Sequence, residues 1–213
     1  MTPAAPAPRT VVLSDLDGVL VDSHASIMRA WRWWAARHAI DDGAVEAILH
    51  GRPSGEVIAA LAPQLDGAAE SRAVDLRQAG DTDGVVALPG AAELLDGWDR
   101  GRVAIVTSCI VPLASARLRA AGLTAPPVLV TPERVARGKP DPEGYLLAAR
   151  ELGAAPEECV VLEDAPAGVA AGLAAGMNVI AVLTSHDADE LGPAHAFVHD
   201  LLDVPAIAAR LVA

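Results

Sequence analysis

The chain has 213 residues, 52% hydrophobic and 21% charged, which is ample for a buried core and unlike a disordered chain. Twenty-eight acidic side chains against 16 basic ones give a formal net charge of −12 at pH 7, a surface that repels nucleic-acid phosphates and anionic lipid. Two cysteines make no disulfide framework, no apolar run reaches the about 18 residues of a membrane span, and the first ten residues lack a secretory-signal pattern, so a soluble cytoplasmic protein is expected.

After a Pro/Ala-rich start at 2–8, the run Thr10–Ser14 is short, β-branched and apolar, and it breaks at Asp15-Leu16-Asp17-Gly18. That pattern predicts a buried strand ending in a polar loop. From Ser23 to about Leu88 the period is helical, and no strand-like run interrupts it. Ile27, Trp31, Trp34, Ala35 and His38 share one stripe of a first helix, and Trp33 lies off it, where ordinary partial burial is expected. Further helices are predicted over 44–49, 54–62 and 67–79.

Beyond Pro89-Gly90 the period changes. Strands are predicted at 102–106, 128–131, 160–163 and 179–183, with a weaker one at 196–199. Helices over 91–98, 112–121, 142–152, 166–175 and 205–211 alternate with them. Buried strands alternating with helices predict an α/β fold, a doubly wound parallel sheet with an inserted all-helical domain. The expected division is a core of residues 1–21 plus 89–213 and an insertion of residues 22–88.

In such a sheet the functional groups gather beyond the carboxyl ends of the strands. Those ends carry Asp15 and Asp17, Thr107-Ser108, and Glu163-Asp164, with Lys139 just ahead of a helix. Carboxylates brought that close need a counter-charge, and oxygen donors without His or Cys suit a hard cation, Mg²⁺ above all. Fifteen of the 16 basic residues are Arg, and Lys139 is the one lysine. It is either a compositional accident or the mark of a site that needs a compact ammonium rather than a planar fork. Arg137-Gly138-Lys139-Pro140 is no P-loop, because Glu133 stands at the first glycine position and Pro140 replaces the hydroxyl residue. His186, His195 and His199 fit no metal spacing and are expected on the solvated surface.

Four segments resemble the motifs of the haloacid dehalogenase-like hydrolase superfamily: DLDGVLVDS at 15–23, AIVTS at 104–108, GKPDP at 138–142 and VLEDAPAG at 161–168. The resemblance implies that Asp15 is the nucleophile and Asp17 the general acid/base. It implies that Asp15, the Asp17 carbonyl and Asp164 hold Mg²⁺ with Glu163 beside it, while Thr107, Ser108 and Lys139 grip the phosphoryl group. The second aspartate argues for phosphoryl transfer over dehalogenation. Cys109 follows Thr107-Ser108 where relatives commonly carry Gly, and it reads as a packed small side chain rather than a reactive thiol.

The helical insertion resembles the small cap of the β-phosphoglucomutase-like subgroup, nearest to sugar-phosphate and glycerol-phosphate phosphatases in the stretches 30–40 and 47–58. Arg52, with Glu56 one turn on, is then the candidate for recognising the leaving group. The expectation is a Mg²⁺-dependent phosphatase of a small phosphorylated metabolite, a monomer or weak dimer. A phosphomutase on the same scaffold is the alternative.

Overall fold

The computed structural model describes residues 10–49 and 54–212. Strand β1 (Val11–Ser14) is followed by a two-residue strand, β2 (Val21–Asp22), and by helices α1 (His24–His38), α2 (Asp42–Leu49), α3 (Ser54–Leu61) and α4 (Gly67–Ala79). After β3 (Val86–Ala87) helices and strands alternate: α5 (Ala91–Gly97), β4 (Val103–Val106), α6 (Val111–Ala120), β5 (Val128–Val130), α7 (Glu143–Glu151), β6 (Cys159–Glu163), α8 (Pro166–Ala174) and β7 (Asn178–Val182). Strand β8 (Ala196–Val198) and α9 (Val204–Leu211) close the chain.

Six strands form one parallel sheet in the order β5-β4-β1-β6-β7-β8. Every residue of β1, β4 and β6 is buried, so these strands read as continuous apolar runs rather than as alternations. The two faces are nevertheless distinct. Val12, Ile105 and Leu162 pack with Leu95 of α5, Leu118 of α6 and Val204 of α9, whereas Leu13, Ala104 and Val161 pack with Tyr145 of α7 and Val169 of α8. The predicted α/β architecture is the one observed.

Helices α1–α4 surround a core of their own, built on Trp31, Trp34, Val45, Val57, Ile58 and Val74. Trp34 donates its indole N–H to Glu70 at 2.9 Å, so the buried ring leaves no orphan donor. Asp66 caps α4 by accepting from the N–H groups of Ala68 and Ala69. The absence of strands in this block needs one correction. The two chain passages into and out of the insertion pair antiparallel, Val21 with Ala87 and Asp22 with Val86. Two residues per strand carry no readable period, and only their distant partner makes them strands. Among the described residues, no helix is long and apolar enough to cross a membrane.

Candidate active site

From β1 the chain crosses to β4 and β5 on one side, then returns to β6, β7 and β8 on the other. The direction reverses at β1, and the crevice beyond its carboxyl end is where such sheets collect function. Asp15 extends β1 and is tied to β6 through its N–H to the Leu162 carbonyl at 2.9 Å. Thr107 extends β4 in the same way, through the Val130 carbonyl of β5 at 3.0 Å. Glu163 ends β6 and Asp164 follows it. Two glycines make room for these acids. Gly18 has φ +80°, and a Cβ there would overlap the Asp164 carboxylate; a Cβ at Gly168 would overlap that of Glu163.

Lys139 arrives from the loop between β5 and α7 and occupies the centre. Its Nζ lies 2.5 Å from Asp15 Oδ1, 2.6 Å from Glu163 Oε1 and 2.9 Å from the Val106 carbonyl. Burial alone would lower its pKa, but Asp15 and Glu163 outweigh burial and hold it raised, so it stays an ammonium. Tyr145 of α7 donates its hydroxyl to the same Glu163 oxygen at 2.7 Å, and burial, then Glu163, push the phenol up so that it remains a donor.

Carboxylate oxygens of Asp15, Glu163 and Asp164 fall within 4.8 Å of one another. Burial first, then Glu163 and Asp164, push Asp15 well above the carboxylate range, although Lys139 opposes the shift. Asp164 is pushed up to about 7, again by burial and then by Glu163. The Asp17 carboxylate stands outside this cluster. It accepts the Cys109 thiol at 2.9 Å and has Arg117 Nε at 3.0 Å. Burial and Asp17 push the Cys109 thiol well up, which keeps it protonated and inert, as its reading as a small packed side chain implies.

A cleft of about 680 Å³ runs from these strand ends to the insertion, where Trp31, Ser54, Asp75 and Gln78 face it. Thr107, Ser108 and Lys139 line it together with Asp15, Asp17, Glu163 and Asp164. Glu56 does not line it: α3 buries Val57 and Ile58 in the insertion core and leaves Glu56 exposed, while Ser54 reaches the cleft. Arg52 lies outside the described residues. Trp33 is half-buried, with the Arg37 and Arg77 guanidiniums each 5.9 Å from its ring centre.

His195 and His199 are exposed, but His186 is not merely solvated. It lines the cleft, with Nδ1 2.9 Å from the Asp164 carbonyl. Tyr145, His186 and Arg117 were not legible as site residues. Tyr145 and Arg117 sit inside ordinary amphipathic helices, and His186 sits in a polar run whose path over the sheet no local pattern reveals.

A profile of the haloacid dehalogenase-like hydrolases matches residues 10–176. The chain belongs to that family. Its relatives within the family include hexitol phosphatase A of Escherichia coli (strain K12), 48% identical over 197 residues, covering 89% of this chain and 90% of that protein. Validoxylamine A 7'-phosphate phosphatase of Streptomyces hygroscopicus subsp. limoneus is 36% identical, over 91% of this chain and 95% of its own. Among solved structures, CbbY from Rhodobacter sphaeroides in complex with phosphate superposes with a TM-score of 0.75 at 27% identity, covering 91% of this chain and 95% of that one.

Proposed function

We propose that this chain is a Mg²⁺-dependent phosphatase that hydrolyses a small sugar or polyol phosphate through an aspartyl-phosphate on Asp15. It is a phosphoric monoester hydrolase. The observation that carries the reading is the Lys139 ammonium wedged between Asp15 and Glu163, with Asp164 alongside. Two phosphatases among its relatives, one of a hexitol phosphate by name, support the substrate class.

The residues fit a bound Mg²⁺. All the clustered donors are oxygens, one ammonium leaves three ionised carboxylates under-compensated, so a divalent cation supplies the missing positive charge, and Gly18 and Gly168 keep the space beside them clear. Asp15, Asp164 and the Asp17 carbonyl would hold the ion with Glu163 beside it, and it would neutralise charge on the phosphoryl oxygens and on the nucleophile. Lys139 holds Asp15 Oδ1 in place, so the attacking carboxylate has a fixed direction before substrate arrives. Thr107 accepts the Cys109 N–H at 3.1 Å, which leaves its own proton for a phosphoryl oxygen. Asp17 hands a proton to the departing alkoxide and takes one back from the water that cleaves the aspartyl-phosphate. Residues 22–88 act as the cap that shuts this cleft from bulk water, with Asp75 and Ser54 facing the leaving group, and Arg52 remains the sequence's candidate for recognising it.

The deciding experiment is a panel of hexitol, hexose and glycerol phosphates with Mg²⁺, in which both phosphate release and sugar-phosphate isomers are followed. Stoichiometric phosphate release, with kcat/KM highest on a hexitol or hexose phosphate, is the expected result. Conversion of a hexose 1-phosphate into its 6-phosphate without net release would instead make the chain a mutase.

Metal binding should also show in stability, independent of turnover. Between its ordinary 3.8 and about 7, folded Asp164 keeps a proton that the unfolded chain has released. Fewer protons bound in the unfolded state means that metal-free stability falls as pH rises through that window. Asp15 is shifted in the same direction. Mg²⁺ needs both groups ionised, so its stabilising effect grows as the metal-free protein weakens. Melting of chelator-treated protein should therefore drop in Tm from about pH 5 to about pH 7.5, and added Mg²⁺ should raise Tm more at the upper pH. An equal Mg²⁺ effect at both pH values would count against these carboxylates as ligands.

A further inference from the structure

Arg117 is the one fully buried guanidinium among the described residues, and the chemistry above gives it no task. It points from α6 of the core into the seam with the insertion. Nη1 donates to Ser26 Oγ of α1 at 2.7 Å, and Nη2 donates to Gln78 Oε1 of α4 at 2.6 Å. Both partners are themselves buried and neutral. The remaining nitrogen, Nε, lies 3.0 Å from Asp17 Oδ1, and Asp17 is the one carboxylate at ion-pair distance from Arg117 among the described residues.

The pair has an unusual detail. Nε and Asp17 Oδ1 are both shut off from solvent, yet neither makes a hydrogen bond, despite their separation. The N–H is near the oxygen but not aimed at it. A guanidinium is planar and rigid, so fixing Nη1 and Nη2 fixes where Nε–H points. Two of its three nitrogens are set by the insertion, and the third faces the core's second aspartate. A shift of α1 and α4 against α6 would turn the fork and, with it, the direction of Nε–H relative to Asp17 Oδ1. Leaving two buried polar atoms unpaired is costly, so an alignment of Nε–H on Oδ1 would be lower in free energy than the arrangement observed.

We infer that Arg117 is a positioning residue that couples the seating of helices α1 and α4 to the aim of the Asp17 carboxylate. The inference rests on Asp17 being the general acid/base. A residue that only held the seam together would be equally well satisfied by Ser26 and Gln78 without an acid beside it. A cation next to Asp17 also keeps the acid from being buried without a partner while the cleft is shut.

The test separates the proton-requiring step from the rest of the chemistry. Alkoxide departure from an alkyl phosphate needs a well-aimed acid, whereas p-nitrophenolate leaves without one. Single-turnover phosphorylation of Arg117→Met is measured with the alkyl phosphate that wild type turns over fastest, and the burst of p-nitrophenolate is measured with p-nitrophenyl phosphate. The alkyl step should slow by about 10²-fold or more, with the aryl burst rate unchanged. The double variant Ser26→Ala/Gln78→Leu, which keeps Arg117 but frees its fork, should show the same selectivity to a smaller degree. Asp17→Asn calibrates the pair of assays: if it slows both steps equally, the acid/base reading of Asp17 is what fails. Given a selective Asp17→Asn, equal slowing of both steps in Arg117→Met would overturn the inference and leave Arg117 a structural tie. If Arg117→Met does not fold, the double variant decides, and unchanged selectivity there overturns it too.

Discussion

Asp15→Asn should abolish turnover while leaving the fold at least as stable as wild type. The amide has the same shape and can still accept from Lys139, but it offers phosphorus no anionic oxygen. The expected loss is on the order of 10⁶-fold, the scale seen when a covalent nucleophile is removed. Stability should not follow activity down. Burial and the neighbouring acids already push Asp15 above the carboxylate range, so its ionised form is a burden on the metal-free fold at neutral pH. A melt of the chelated variant should give a Tm equal to or above that of wild type. Mass spectrometry of acid-quenched enzyme should find a phosphoryl adduct in Asp17→Asn and none in Asp15→Asn. Phosphate release by Asp15→Asn near the wild-type rate would end the covalent mechanism.

Lys139→Arg should be nearly as damaging as Lys139→Ala, although it keeps the charge. The three protons of the ammonium are spent on three acceptors around one nitrogen, Asp15 Oδ1, Glu163 Oε1 and the Val106 carbonyl. A guanidinium spreads its donors over a flat fork and cannot converge on that arrangement. Its bulk would also press on Tyr145, whose ring centre lies 5.3 Å from Nζ. Either change should lower kcat/KM by about 10²–10³-fold or more, the size expected when a charged donor to the transition state is lost. Near-normal kcat/KM in Lys139→Arg would make the lone lysine an accident of composition.

The strand ends were legible because buried parallel strands are short apolar runs, and an acid that stops such a run stands out. Asp15, Thr107, Glu163 and Asp164 each follow or end a stretch of Val, Ile and Leu. Lys139 stood out by rarity, and the structure places it against two of those acids. Arg117 had neither mark. It reads like Arg119 two residues later, an arginine on a helix, and only Ser26 and Gln78, far off in sequence, make one buried and leave the other exposed. The β2/β3 pairing escaped for the same reason, since two residues have no period of their own. Glu56 is exposed and is not among the residues that line the cleft, and a helical offset does not reveal this: it shows which residues share a face but not which neighbour that face meets. What stayed hidden was in each case a contact between distant segments.

The β2/β3 ribbon bears on how the chain reaches its native state. Strand β1 is made first, yet its neighbours in the sheet, β4 and β6, are made much later, so it must wait with an apolar surface and unpaired edges. Helices α1–α4 lie consecutively between β2 and β3 and hold a hydrophobic centre of their own, so their contacts are local and quick to form. Once they associate, Val21 and Ala87 are held side by side. The long excursion between β1 and β4 is thereby cut to a short span whose closure costs little further entropy. A segment whose side chains line the cleft is thereby also expected to act as the splint on which the sheet begins to assemble.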